Sequence, residues 1–385
     1  MNEYKKFIQF EKDLYSTNEV IPLHAPQFLG NEISYVTNAI KSTFVSSVGS
    51  YVDDFESQIK QYTQANGAIA VVNGTSALHL CLYMAGVEAD DLVITQALTF
   101  VATCNAINQA GASPILLDVS IDSLSLCPIA LENFLESSAL LDERGCIHRL
   151  TQRRIRAVLP MHTFGHPAKL DEIHQICKKW NIKLVEDAAE SLGSKYKGKH
   201  TGTIGDFAAL SFNGNKIITT GGGGMILCRD EKDAVRIKHL STTAKVAHPY
   251  EFYHDESGFN YRMPNLNAAL GCGQLETLPK YLKNKKKLAS IYNSFFKDSD
   301  CKFVIEPEYA ESNYWLNAIV CPDKIYRDNF LKQTNLQGIT TRPVWTLMSN
   351  LPMFKESIQD SLVISKKLEE TLINIPSSPI LSLDE

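Results

Sequence analysis

Several features are scarce in this chain of 385 residues, and each absence excludes a class of protein. No apolar run approaches the roughly 18 residues that a membrane-spanning helix needs, and the first residues, MNEYKKFIQFEKDLYS, lack the apolar stretch of a secretory signal. A surplus of basic residues is also missing, since the net charge is −5. We therefore expect a cytoplasmic protein whose partners include neither a membrane nor a nucleic acid.

None of the nine cysteines forms a Cys-x-x-Cys pair, the spacing of thiol redox motifs and of many zinc sites. Their number is odd and most lie in apolar segments, as buried reduced thiols of a cytoplasmic protein do. His162 and His166 have the spacing of metal ligands on one helix face, but Gly165 and Pro167 break any helix there. No metal is expected.

What is present is an alternation of strand-like and helix-like stretches between about residues 67 and 229. Short β-branched runs at 68–72 and 155–159 are typical of buried strands, whereas residues 170–180 have the apolar period of a helix. This alternation predicts an α/β fold with a mainly parallel central sheet and helices on both faces. After about residue 254, helical segments and a strand at 314–320 indicate a smaller C-terminal α+β domain. The predicted parts are an N-terminal arm (1–30), a large α/β domain (31–253) and a small domain (254–385).

The first candidate functional motif is Asn73-Gly74-Thr75-Ser76, which follows the strand at 68–72 and opens a helical pattern. Free backbone N–H groups and the helix dipole at such a start favour a phosphate. The alternative is an ordinary helix N-cap, in which Thr75 or Ser76 satisfies the first turn.

The second motif is Val185-Glu186-Asp187, in which a buried strand delivers carboxylates to its C-terminal end. Ligands of parallel sheets bind at that end. Asp187 could pair with a protonated ring nitrogen and keep a pyridinium charged, as an electron sink requires. The alternative is a helix-capping or solvent-facing acid.

The third motif runs from Ser211 to Lys216, just beyond another buried strand, and four glycines follow at 221–224. Lys216 could reach a cofactor aldehyde there, because a cationic or apolar site frees the amine of a lysine. The alternative is a plain surface lysine. The glycines predict a tight turn that presses Lys216 against a cofactor, and no Gly-Lys-Ser/Thr follows them as in a Walker loop.

In this order the motifs resemble the sugar-nucleotide aminotransferases of the DegT/DnrJ/EryC1/StrS type, within the aspartate-aminotransferase fold (fold type I of pyridoxal-phosphate enzymes). The resemblance extends from Ile21-Pro22-Leu23 to Ile375-Pro376-Ser377. It implies pyridoxal 5′-phosphate (PLP) as cofactor, Lys216 as the lysine that binds it covalently and Asp187 as the partner of its ring nitrogen. Further cofactor contacts that it implies are Gly74, Thr75, Ser76 and Ser211 near the phosphate, Phe100 on the ring face, Glu190 near the ring hydroxyl and Asn260 from a second subunit.

Two positions depart from the pattern of many relatives. Glu190 stands where many have Gln or His, and Gly222 stands where many carry an acid between glycines. The carboxylate of the first departure would change the local charge beside the cofactor or be protonated there. The second departure concerns the detailed geometry of the turn and not the presence of Lys216.

The resemblance also implies the reaction and the assembly. L-Glutamate would supply an amino group to carbon 4 of a nucleotide-linked 4-keto-6-deoxy sugar, with UDP-4-keto-6-deoxy-N-acetylglucosamine as the principal candidate. A narrower similarity, to the legionaminic-acid-type 4-aminotransferases, rests on the run from Ser211 to Lys216 and on Arg342-Pro343-Val344-Trp345. A homodimer with shared active sites is implied, and the product would enter bacterial surface glycans or nonulosonic acids. The substrate-binding residues expected are Arg262, Tyr314, Arg342 and Trp345.

Alternatives remain open at this point. Within the same chemistry they are amination at carbon 3 and a GDP- or dTDP-linked sugar. A PLP-dependent sugar dehydratase has histidine in place of the lysine, so Lys216 argues against it. A non-catalytic regulator with the same fold is the alternative of another class.

Overall fold

The computed structural model describes residues 3–380 and residue 383. Residues 1–2, 381–382 and 384–385, which belong to the predicted arm and small domain, lie outside the described residues. The helices are α1 (Glu3–Leu14), α2 (Glu32–Lys41), α3 (Ser50–Thr63), α4 (Gly74–Met84), α5 (Val101–Gln109), α6 (Pro128–Ser138), α7 (Leu170–Lys179), α8 (Glu231–Ser241), α9 (Asn265–Phe295), α10 (Lys324–Leu336) and α11 (Val363–Thr371).

The strands of the first two thirds of the chain are β1 (Gly67–Val71), β2 (Leu92–Gln96), β3 (Ser113–Leu117), β4 (Ala139–Asp142), β5 (Gly145–His148), β6 (Ile155–Leu159), β7 (Lys183–Asp187), β8 (Lys195–Tyr196), β9 (Lys199–His200), β10 (Phe207–Ser211) and β11 (Gly224–Cys228). Those of the last third are β12 (Lys302–Phe303), β13 (Ala310–Glu311), β14 (Asn317–Val320), β15 (Arg342–Pro343), β16 (Ile358–Gln359) and β17 (Leu372–Ile375).

The central sheet has eight strands in the order β1-β11-β10-β7-β6-β2-β3-β16. Neighbours are parallel except at β11, which runs antiparallel to both β1 and β10. The predicted mainly parallel sheet is therefore confirmed. Because β10 and β11 are antiparallel neighbours, a loop without a crossover helix joins them, and this β10–β11 connection carries Lys216.

Helices cover both faces of this sheet, as predicted. Alternate residues of β1 show the two sides, since successive side chains of a strand point to opposite faces. Ile69 and Val71 pack with α4, α5 and α8 in one hydrophobic cluster. Ala68 and Ala70 pack with α3 and α9 in another. Both clusters are fully buried at their centres, so the sheet carries a core on each side.

The C-terminal part contains an antiparallel sheet in the order β12-β14-β17-β15. Helix α1, from the start of the chain, packs here: Phe7 is fully buried and its ring centre lies 5.1 Å from that of Phe330. The strand expected at 314–320 begins only at Asn317, because Tyr314 has a left-handed φ of 48° that interrupts extended backbone. The domain boundaries at residues 30 and 253 stay predictions.

The longest helix, α9, has 31 residues and contributes to the cores of both parts. Its first half, with Cys272 and Leu278, packs under the central sheet, and its second half, with Leu288 and Tyr292, packs against the small sheet. In the described part of the chain, no helix is both long enough and apolar enough to span a bilayer.

Candidate active site

A cavity of about 620 Å³ lies at the C-terminal ends of the central strands, beside the β10–β11 connection. Side chains from both the large sheet and the segment after β15 form its walls. Residues that the sequence had singled out and that line this cavity are Gly74, Thr75, Phe100, Asp187, Glu190, Ser211, Lys216, Arg342 and Trp345. A separate polar groove of about 590 Å³, lined by Glu3, Tyr4 and Tyr326 among others, contains none of them.

Helix α4 points its N-terminus into the cavity. The side chain of Asn73, not the hydroxyl of Thr75 or Ser76, caps the helix by accepting the backbone N–H of Ser76 at 2.7 Å. Ser76 is thereby drawn into the cap and does not line the cavity. The N–H groups of Gly74 and Thr75 lie in the first turn, where no intrahelical acceptor exists. A Cβ atom at Gly74 would lie 2.9 Å from Cβ of Ser211, so only glycine lets the helix start so close to that hydroxyl.

Asp187 ends β7 and is almost completely buried. Its Oδ2 accepts from the Thr103 hydroxyl at 2.7 Å and its Oδ1 from the Ala189 N–H at 3.2 Å. Burial raises the pKa of Asp187, and the hydrogen bonds from Thr103 and Ala189 and the charge of Lys216 oppose that rise. A desolvated carboxylate of this kind is stabilised by a cationic partner, and a protonated ring nitrogen is such a partner.

The neighbouring carboxylate, Glu186, has a different task. It points away from the cavity and accepts the Nε2–H of His162 at 2.9 Å. Three backbone N–H groups also donate to it, those of Gly202, Ile204 and Gly205. Burial favours a raised pKa for Glu186, but the hydrogen bonds from His162 and from the backbone outweigh it, so the pKa is lowered. Glu186 therefore fixes the loop before β10.

His162 and His166, weighed above as a metal pair, do not converge on an ion. Nδ1 of His162 accepts the backbone N–H of Ala168 at 3.1 Å, so both of its ring nitrogens are used within the protein. His166 is buried against the ring of Tyr314.

Lys216 projects into the cavity and its side chain is only 12% exposed, so it is not a surface lysine. Its Nζ donates to Oε1 of Glu190 at 3.2 Å and lies 3.9 Å from the centre of the Trp315 ring. The other oxygen of Glu190 accepts the Phe164 N–H at 2.9 Å. Burial raises the pKa of Glu190 to about 7, although the charge of Lys216 opposes this. Glu190 can thus gain or lose a proton near neutral pH.

Besides Ser76, three sequence-predicted residues do not reach the cavity of their own chain. Asn260 is exposed, and its Oδ1 accepts from Nε of Arg262 at 3.0 Å; neither residue lines the cavity. Tyr314 is buried behind the wall, where its hydroxyl accepts the backbone N–H of Glu306 at 3.0 Å. The structure therefore does not place Tyr314 at a substrate.

Two residues of the site were missed by the sequence reasoning. Thr103 lies one helical turn after Phe100, and this spacing is the signal in the sequence that could have identified it. Its hydroxyl donates a hydrogen bond to Asp187. Trp315 directly follows Tyr314, which the resemblance implies as a substrate-binding residue, but no signal in the sequence pointed to Trp315 itself. The left-handed backbone at Tyr314 turns the next residue, Trp315, towards Lys216.

Comparison with known proteins gives a consistent picture. The model of the DegT/DnrJ/EryC1/StrS aminotransferase family matches residues 27–385. A GDP-perosamine synthase of Escherichia coli O157:H7 is 34% identical over 95% of this chain and 95% of its own, and one of Vibrio cholerae is 31% identical over 95% and 96%. The solved structure of the aminotransferase TlmJ from Streptoalloteichus hindustanus has a similar fold, with a TM-score of 0.84, 23% identity and 93% of each chain covered. The predicted fold class is confirmed.

Proposed function

Because this chain belongs to the DegT/DnrJ/EryC1/StrS aminotransferase family, we propose that it moves an amino group from L-glutamate to carbon 4 of a nucleotide-linked 4-keto-6-deoxy sugar. It is a PLP-dependent sugar aminotransferase. The substrate, the amino donor and the roles of single residues are the proposal. One observation carries it: Lys216, Asp187 and the start of α4 face the same cavity.

The chemistry of the donor set fits PLP. The Lys216 amine suits its aldehyde, the Asp187 carboxylate suits its protonated ring nitrogen, and the N–H groups of Gly74 and Thr75 with the Ser211 hydroxyl suit its phosphate. Phe100, which is 46% exposed at the cavity wall, offers an aromatic face for the ring. The bound cofactor supplies an electron sink for the carbon that loses a proton.

The chain's own residues then move and hold protons. The Lys216 amine, once free of the cofactor, moves a proton between a carbon of the substrate and a carbon of the cofactor. It acts as a general base when it takes the proton and as a general acid when it returns it. Glu190, 3.2 Å from Nζ, accepts a hydrogen bond from the protonated amine and fixes its direction. Asp187 keeps the ring nitrogen protonated, and Thr103 holds Asp187 in place.

The nucleotide is a separate question. The resemblance implies a UDP-linked sugar as the principal candidate, with a GDP-linked sugar among the alternatives. Relatives named GDP-perosamine synthase favour the GDP-linked 4-keto-6-deoxy sugar, which we propose as the first substrate. The UDP-linked sugar of legionaminic-acid-type pathways is the second candidate, and in either case we propose that the product enters a surface polysaccharide.

The test is direct. The PLP-loaded protein is incubated with L-glutamate and, separately, with GDP-, UDP- and dTDP-linked 4-keto-6-deoxy sugars, and products are identified by mass and proton spectra. We expect amination at carbon 4 of the GDP-linked sugar, and Lys216→Ala as the matched inactive control. Conversion of glutamate without amination of any of these sugars would refute the substrate. Cofactor binding without conversion of glutamate would favour the regulator.

We also propose that the enzyme is a homodimer with shared active sites. Exposed apolar side chains are unusually dense between residues 28 and 48, and a second exposed group precedes Asn260. The first group is Phe28, Leu29, Ile33, Ile40, Phe44, Val45 and Val48; the second is Tyr250, Phe252 and Tyr253. Burial of these groups by a second copy, with Asn260 at the partner's phosphate, explains why Asn260 is distant from its own cavity.

A cytoplasmic location is part of the same proposal. All nine cysteines are free thiols, as a reducing compartment permits.

A further inference from the structure

The ring of Trp315 packs against the end of the Lys216 side chain. This ring is buried, with 4% of the residue exposed, and its centre lies 3.9 Å from Nζ of Lys216. Its Nε1–H donates to the backbone carbonyl of Asn215 at 2.6 Å. One residue thus contacts both the amine of Lys216 and the backbone immediately before it.

Trp315 is itself held in a single position. Its N–H donates to the side-chain oxygen of Asn313 at 2.8 Å, and its carbonyl accepts from Nζ of Lys285 at 3.1 Å. Lys285 is completely buried. The amide of Asn313 donates in turn to the backbone carbonyl of Glu190 at 2.9 Å. The segment that carries the indole ring is therefore tied to the segment that carries the carboxylate beside Lys216.

We propose that Trp315 is a positioning residue that stabilises the ammonium form of Lys216, the form that arises each time the free amine takes a proton from a carbon. An aromatic face attracts an ammonium group and does not attract a neutral amine, and the attraction grows where water is excluded. Trp315 and Glu190 are then two fixed partners of the ammonium, and they keep the proton carrier within reach of the reacting carbons. The inference rests on the proposed function only because that function makes the Lys216 amine the proton carrier.

In addition to the Trp315 ring, which does not titrate, three titratable groups act on Lys216. Glu190 is in direct contact, Asp187 lies across the cavity and His24 approaches from the N-terminal segment. Burial, together with the charges of Lys285 and Lys216, lowers the pKa of His24, so this ring is neutral around neutral pH. A variant of Trp315 leaves all three groups in place, so its effect on Lys216 can be measured against the same surroundings.

The experiment measures how readily Lys216 loses its proton. Full-length protein is loaded with pyridoxamine 5′-phosphate, the cofactor form that leaves Lys216 free, and a parallel sample has no cofactor. Both are acetylated with limiting acetic anhydride over a range of pH, and the Lys216 peptide is quantified by mass spectrometry. Trp315→Leu is expected to lower the labelling midpoint of Lys216 by about one pH unit, since the lost attraction favoured the ammonium. Trp315→Phe, which keeps an aromatic face, is expected to stay close to the wild type.

Trp345→Leu is the matched control, because Trp345 lines the same cavity but packs on Phe100 and Phe164. Its labelling midpoint is expected to equal that of the wild type. If Trp315→Leu does not fold, the wild-type chain made with trifluorotryptophan replaces it. Fluorination weakens the negative face of the three tryptophans without removing them, so the midpoint is again expected to fall.

An unchanged midpoint in Trp315→Leu and in the fluorinated protein overturns the proposal. It is also overturned if Trp315→Phe shifts as far as Trp315→Leu, because the lost hydrogen bond to Asn215 would then be the cause. Failure of the proposed function would show differently. The protein would then not retain pyridoxamine 5′-phosphate. The cofactor-free sample would still show whether Trp315 changes the labelling midpoint of Lys216.

Discussion

Replacing Glu190 with glutamine tests the electrostatics of the cavity most sharply. Glutamine keeps the shape of the side chain and can still accept the Phe164 N–H, but it cannot ionise. Glu190 is 3% exposed, and burial raises its pKa from 4.5 to about 7. The unfolded chain lacks that environment, so the two states bind the Glu190 proton with different strength.

The sign and size follow from this difference. The folded-state pKa is the higher one, so the stabilisation from the protonated carboxyl is complete below the unfolded value and is lost as pH rises through about 7. A rise from 4.5 to about 7 corresponds to about 3 kcal/mol at about 1.4 kcal/mol per pH unit. The wild-type free energy of unfolding, measured relative to that of Glu190→Gln, is therefore expected to fall by about 3 kcal/mol between about pH 4 and about pH 8.

The assay is urea unfolding of the cofactor-free wild type and variant across this pH range. Titrating groups outside the cavity are common to both proteins and lie apart from Glu190, so they cancel in the difference. Glu370→Gln, an exposed carboxyl outside the cavity, is the control, and its difference from the wild type is expected to vary little with pH. A constant difference for Glu190→Gln, within about 0.5 kcal/mol, would show that burial does not control the proton of Glu190.

Other predictions follow from the same geometry. Lys216→Ala is expected to keep the circular dichroism spectrum of the wild type and to lose both transamination and the borohydride-sensitive yellow colour of the bound cofactor; normal turnover would refute its role. Asp187→Asn is expected to retain cofactor in absorbance measurements but to lose most activity, because an amide cannot hold a ring nitrogen protonated. Glu186→Gln is expected instead to lower the free energy of unfolding by about 1–3 kcal/mol in urea titrations, because it weakens hydrogen bonds to a buried carboxylate. Lys216→Ala and Asn260→Asp chains are each expected to be nearly inactive alone, and a mixture of them is expected to restore about a quarter of wild-type activity. Half of the dimers in the mixture then contain one intact site of two. If the subunits exchange and no activity returns, Asn260 serves its own chain.

The parts of the site that the sequence could predict share one property: they lie next to a buried strand. Lys216 follows β10 and Asp187 ends β7, and the apolar residues of both strands, Phe207 to Leu210 and Leu184-Val185, are visible in the sequence. In a parallel sheet such ends converge on one edge. The convergence of these residues was therefore predictable before any contact was known.

The parts that were missed depend on backbone details between elements. The separate role of Glu186 was not predicted, because it depends on the loop at 202–205, whose N–H groups donate to the Glu186 carboxylate. The choice between Tyr314 and Trp315 needed the left-handed φ at Tyr314, which no apolar period encodes. Thr103 is an ordinary helical threonine until the fold brings Asp187 to it.

Helix α9 has a mechanical consequence. At about 1.5 Å per residue its 31 residues form a rod about 46 Å long, anchored at one end under the central sheet and at the other in the small sheet. Any hinge motion between these two bodies has to bend the rod. Its stiffness is lowest near Pro279, whose ring removes a helical hydrogen bond and crowds the preceding turn. Helix α9 thus limits how far the distance between the two walls of the cavity can change.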